Sequence, residues 1–185
     1  MNLPAAMRFV RERRWAIAGV AVALVVIALG KTYYRDATAG ELSWILAPTA
    51  KLVSWISGGN FTFEAGPGWV DPKIGFIIAA PCAGVNFALA AFLALGVGAA
   101  PGMVSLRTLA VRLAAAAALA YAATLVVNTT RIVIAIAMHT KTIDIAGDRA
   151  ELHRIEGIVV YLGGLVALYA LARTLDRSNR HVVAR

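Results

Sequence analysis

A single cysteine, Cys82, excludes an intramolecular disulfide framework and a cysteine-based zinc cluster. Charge is scarce as well. Of the 185 residues only 15% are charged, against about 25% in a typical soluble domain, and 60% are hydrophobic. That balance excludes a disordered chain and argues against a water-soluble globule, and the mean hydropathy of +0.73 points to a membrane. The sequence has no carboxylate pair, metal-ligand cluster or Walker loop, and Gly96 and Gly98 lack the spacing that cradles phosphate. A metal or nucleotide enzyme is therefore not expected, and no cofactor is. Internal repeats and low-complexity linkers are missing too.

What the sequence does have is long apolar runs. A helix needs about 20 mostly apolar residues to cross a hydrocarbon core of about 30 Å. Four runs qualify: 15–34, 81–100, 108–127 and 153–172. Arg112 lies near one end of the third, and Arg154 and Glu156 fall in the first turn of the fourth. Residues 36–80 differ in character. Leu42, Ile45, Leu46, Leu52, Val53 and Ile56 share one helical face, with Trp44 and Trp55 beside them and Pro48 as a kink. That pattern predicts a helix lying in the membrane interface, where Trp is favoured. The Phe61/Phe63 alternation, the Gly66-Pro67-Gly68 turn and the run from Ile74 to Ile78 predict a short hairpin. The expected fold class is all-α: one multipass membrane bundle over residues 1–185, with four transmembrane helices, an interfacial helix and an extracytoplasmic hairpin.

The placement of charge predicts the orientation. With a cytoplasmic N-terminus and four crossings, the inside carries ten Lys and Arg against two acids, Glu12 and Asp176, and the outside carries eight against eight. The whole net charge of +8 then falls on one side, as the positive-inside rule requires of a bacterial cytoplasmic membrane protein. Both termini are expected in the cytoplasm and 36–80 outside. The basic residues flank apolar spans instead of forming a nucleic-acid surface, so membrane lipid is an expected partner and nucleic acid is not. The arginines before Trp15, the apolar run and Ala37-Thr38-Ala39 imitate a secretory signal. The intervening KTYYRD and the length of the run favour an uncleaved anchor.

On this topology three chemically distinctive residues meet at the outer face: Cys82 at the start of the second span, Arg131 after the end of the third, and His153 opening the fourth. Ionisable groups beside membrane spans mark function by default. A thiol, a guanidinium and an imidazole at one depth make a cysteine nucleophile site. Pro81 suits a first helical turn, which would put Cys82 at a helix N-terminus that favours its thiolate. His153 would hold and return a proton, and Arg131 would stabilise an oxyanion or bind a peptide carboxylate. Each residue also has a plainer reading. A lone Cys in an apolar helix serves as a small core hydrophobe, Arg131 as a snorkelling or capping cation, and His153 as an exposed helix-start residue. His139 is a rival base, expected to face water beyond the third span; His181 falls in the cytoplasmic tail. Asn128, one turn before Arg131, is expected to support it by hydrogen bonding. Asp144, Asp148, Glu151 and Glu156 are expected to form a solvated face, and Gly157 and Gly163-Gly164 to allow close helix packing.

The run PCAGVNF, then NTTR near the end of the next helix, then HRIEG opening the last, resembles the exosortase/archaeosortase family, most closely the exosortase K subgroup. The resemblance covers roughly residues 40 to 172. It implies a multipass membrane cysteine peptidase or transpeptidase with Cys82, Arg131 and His153 as catalytic residues, supported by Asn128, Gly84 and Asn86. It also implies, as partners, exported substrate proteins ending in a short motif, a transmembrane helix and a basic tail. Two features depart from the family: Ala83 stands where Ser is more usual, and the chain is shorter than the many-helix members. Two other classes compete with this expectation: a small multipass transporter or channel, and a non-catalytic partner in an export apparatus.

Overall fold

A computed structural model describes the backbone of residues 3–140 and 149–183, and the side chains of 13–139 and 155–174. The chain is an all-α multipass membrane protein. Helices α1 (Leu3–Asp36), α3 (Val85–Ala99), α4 (Leu106–Thr140) and α5 (Arg149–Val183) carry the four spans, and α2 (Ser43–Ser57) packs against α4. The apolar stretches able to cross a bilayer are Arg13–Asp36, Ala80–Gly102, Leu106–His139 and Ile155–Thr174.

Small residues set how the helices meet. Gly30 of α1 lies against Leu89 of α3, and Gly19 against Met103 just beyond the other end of α3. Gly84, just before α3, lies against Thr124 and Asn128 of α4, and Gly96 against Leu113. Gly164 of α5 lies against Val127. Without a Cβ at these positions the backbones approach closely, which is how helices associate in lipid. The contacts also fix direction. Each of α3, α4 and α5 runs antiparallel to the spanning helix before it. The end of α1, the start of α3, the last third of α4 and the first third of α5 therefore share one end of the bundle. Ala100, Met103 and Leu109 pack with Trp15 at the opposite end.

Helices α1 and α5 extend past the expected spans 15–34 and 153–172 at both ends, and the two middle spans differ in ways that bear on the site. The third span was expected to end at 127, but α4 runs unbroken to Thr140, about 50 Å at 1.5 Å per residue. Nothing between Val127 and Thr140 breaks a helix: there is no Pro or Gly, and Ile132–Ala137 stays apolar. The second span was expected to be helical from Pro81. Instead Ala80–Ala83 form a separate 3₁₀ turn, Gly84 takes φ +69°, and the α-helix begins at Val85.

Residues 36–80 build a cap on the same end of the bundle as that turn. Ile45, Leu46, Ala50 and Val53 of α2 are buried and pack in one core with Leu42, Ile78, Ile132 and Ile136. Ile56, expected on this face, is exposed, because the helix ends at Ser57 and Gly58 turns the chain away. Pro48 lies inside α2 without ending it. The expected hairpin is a three-stranded antiparallel meander of β1 (Thr62–Glu64), β2 (Gly68–Asp71) and β3 (Phe76–Ile78). Asp71 organises it. The residue is 1% exposed, and its carboxylate accepts the N–H groups of Asn60 at 2.6 Å, Lys73 at 2.9 Å and Ile74 at 3.1 Å. These bonds hold the Asp71 carboxyl below the usual carboxylate range, the Asn60 bond contributing most.

Candidate active site

The break between the 3₁₀ turn and α3 leaves backbone polar groups to satisfy within a stretch apolar and long enough to cross a membrane. The N–H of Cys82 donates to Ala79 O at 2.8 Å. Its carbonyl accepts the Nδ2 of Asn128 at 2.6 Å. Asn128 is fully buried and stands directly over Gly84: a Cβ at Gly84 would lie 3.0 Å from Asn128 Cγ. The glycine of the cysteine motif thus serves two needs, a positive φ and room for this amide.

On α4, Thr124, Asn128 and Arg131 recur at i, i+4 and i+7, one stripe of the helix. On α5, Gly157, Tyr161 and Gly164 recur at the same spacing, and the two stripes mesh. A Cβ at Gly157 would lie 2.9 Å from Arg131 Nε. The Tyr161 hydroxyl donates to Asn128 Oδ1 at 2.9 Å and accepts a long contact from Arg131 Nη1 at 3.5 Å. The guanidinium also stacks over the Tyr161 ring, 5.3 Å from its centroid.

A cavity of about 250 Å³ opens beside this network. Its wall includes Tyr34 from α1, Pro81 and Gly84 from the cysteine turn, Arg131 from α4, and Gly157 and Tyr161 from α5. Asn86, exposed in the first turn of α3, completes that side. Cys82 is half-buried and is not part of the wall; it lies between two wall residues and packs against the core under α2. Cys82, Tyr34, Glu156 and Tyr161 all interact electrostatically with Arg131.

Among the residues expected from sequence, Cys82, Gly84, Asn86, Asn128 and Arg131 come together here. The side chain of His153 lies outside the described residues. Its place in α5 is one turn before Gly157, at the head of the stripe that continues through Tyr161. His139 is exposed in the last turn of α4, edge-on to Phe76 at 6.2 Å, and eight residues, about 12 Å of helix rise, beyond Arg131. Three expectations need correction. Arg131 does not follow the end of its helix but sits well inside it, because α4 continues for nine residues more. Cys82 is not in the first turn of an α-helix, since its 3₁₀ turn has four residues and α3 starts three positions later. Glu156 does not join a solvated face: both carboxylate oxygens are out of solvent, next to Gly157. Asp144 and Asp148 and the side chain of Glu151 fall outside the described residues. Among the described residues no group of three metal-ligating side chains converges.

Tyr34, Glu156 and Tyr161 are site residues that sequence reasoning passed over. For Tyr161 a signal existed, the i+4 and i+8 spacing from His153. Tyr34 carried none, because its contact with Pro81 (hydroxyl to carbonyl, 3.5 Å) spans 47 positions.

Fold and cavity together define a helical multipass membrane protein with a pocket near one end of the bundle that holds Arg131 among apolar and aromatic side chains. No family model matches the chain, and neither does any curated protein or solved structure.

Proposed function

We propose that this protein is a membrane cysteine transpeptidase or endopeptidase that cleaves the C-terminal sorting signal of exported proteins. The observation that carries the proposal is the 2.6 Å bond from Asn128 to the Cys82 carbonyl, which ties the one thiol to the helix bearing Arg131 at the edge of a cavity. The resemblance of PCAGVNF, NTTR and HRIEG to exosortases adds the reaction class and the target: motif, transmembrane helix and basic tail.

In this mechanism the Cys82 thiolate attacks the target peptide carbonyl carbon and a C–S bond forms. Arg131 donates to the resulting oxyanion. As the tetrahedral species collapses, the C–N bond breaks and His153 gives its proton to the leaving amine. Water or an amine then attacks the thioester carbonyl, the now neutral His153 takes the nucleophile's proton, and the C–S bond breaks with the sulfur leaving as thiolate. The site faces outward across the bacterial cytoplasmic membrane, with both termini inside, a topology supported by the ten-to-two excess of basic residues on the inner side.

The test is processing of an exported protein carrying such a tail, with single variants at matched membrane abundance. Cys82→Ala should abolish it. His153→Ala should slow it by at least about 10²-fold, and His139→Ala should leave it near normal, given its distance from Arg131. A Cys82→Ala protein that still cleaves would end the covalent mechanism. A wild type that processes no such protein would favour the second reading, a small transporter or channel, which the position of Cys82 outside the cavity wall supports.

A further inference from the structure

We infer that Tyr161 is the positioning residue of this site, setting the orientation of the Asn128 amide and the seat of Arg131 at once; its catalytic meaning rests on the peptidase proposal. A phenol hydroxyl has one proton and two lone pairs. Here the proton goes to Asn128 Oδ1 at 2.9 Å and a lone pair faces Arg131 Nη1 at 3.5 Å. With Oδ1 committed to Tyr161, the other end of the amide, Nδ2, points at the Cys82 carbonyl and donates to it. A flipped amide would set oxygen against oxygen. Tyr161 thus selects the one amide orientation that satisfies the cysteine turn, and the same atom touches the guanidinium.

The ring itself is held separately. It lies 5.5 Å from the Phe87 ring and under Arg131. Tyr161→Phe therefore removes the hydroxyl and keeps both ring contacts. The titratable and charged groups sharing the cluster are Tyr34 from α1, Cys82 from the turn, Arg131 from α4 and Glu156 from α5, with His153 two turns before Tyr161 in the register of α5.

The experiment needs no target protein, because Cys82 is the one cysteine in the chain and iodoacetamide reports on it alone. The full chain is reconstituted in lipid nanodiscs, and alkylation is followed across pH for wild type, Tyr161→Phe, Arg131→Lys and the double variant. Tyr161→Phe should be alkylated about five- to tenfold more slowly, the equivalent of one neutral hydrogen bond. Its pH–rate curve should be displaced in the same sense as that of Arg131→Lys. The double variant should fall short of the two effects added together, since part of the Tyr161 effect passes through Arg131 and part through Asn128. A Tyr161→Phe curve that superimposes on wild type, or a double variant in which the two effects simply add, overturns the inference. Failure of the peptidase proposal looks different: no exported target is processed by wild type, yet Tyr161→Phe still moves the thiol curve.

Discussion

At the scale of single residues, Gly84 under Asn128 combines a positive φ with a close approach between helices. Ala at this position would be forced into the left-handed region, at roughly 1–2 kcal/mol, and its methyl would press on Asn128 Cγ. Gly84→Ala should therefore lose stability by at least that amount, and it should also loosen the bond to the Cys82 carbonyl. An unfolding titration in bicelles measures the first effect, and alkylation of the lone thiol measures the second. A variant as stable as wild type would mean that the turn can relax without its left-handed residue. The glycine was visible in the sequence as part of CAGVNF, but its reason was not. That reason is an amide 44 positions away on another helix, which no local pattern reveals.

At the scale of elements, α5 offers a matched pair of glycines. Ala is a better helix former than Gly by about 1 kcal/mol, so Gly163→Ala, whose new Cβ would meet nothing within 4 Å, should be neutral or stabilising. Gly157→Ala gains the same propensity but sets its methyl against Arg131 Nε. Processing should fall in Gly157→Ala and persist in Gly163→Ala; equal activity in the two would show that α5 shifts freely past the guanidinium. The cap of residues 36–80 makes a prediction about pH. The Asp71 carboxyl is held below its ordinary value of about 3.9 by three backbone N–H donors. A depressed folded-state value stabilises the cap above that ordinary value, and the contribution is lost as pH falls through the lower, folded-state value. Hydrogen exchange at the Asn60 amide should therefore stay slow at neutral pH and accelerate only in strong acid. In Asp71→Asn the amide should exchange fast at every pH, because the charge that held it is gone. The sequence marked this segment as strand and turn, yet Asp71 looked like any loop acid. Its burial depends on α2 and β2 closing around it.

At the scale of the whole molecule, the positive-inside imbalance predicts cytoplasmic termini and an outer cap of residues 36–80. Reporter fusions at Gly66 and Asn179 should read outside and inside respectively; an outward-facing Asn179 would reverse the site's orientation and with it the class of target. The number of spans, their apolar character and the imbalance of charge were all determined by the sequence itself. Crossing a hydrocarbon layer sets requirements of length and polarity that each segment meets alone, without reference to its neighbours. The tertiary structure decided what those requirements leave open. Arg131 could end a helix or sit within one, and only continuation of α4 against Ile45, Leu46 and the rest of the cap core selects the second. Asn128 could face lipid, water or protein, and the carbonyl freed at Cys82 recruits it. Tyr161 could be one more apolar ring on α5 until Gly157 and Gly164 let that helix close on α4. Such choices belong to the tertiary structure because a polar group in a membrane is stable only where a partner from another segment meets it.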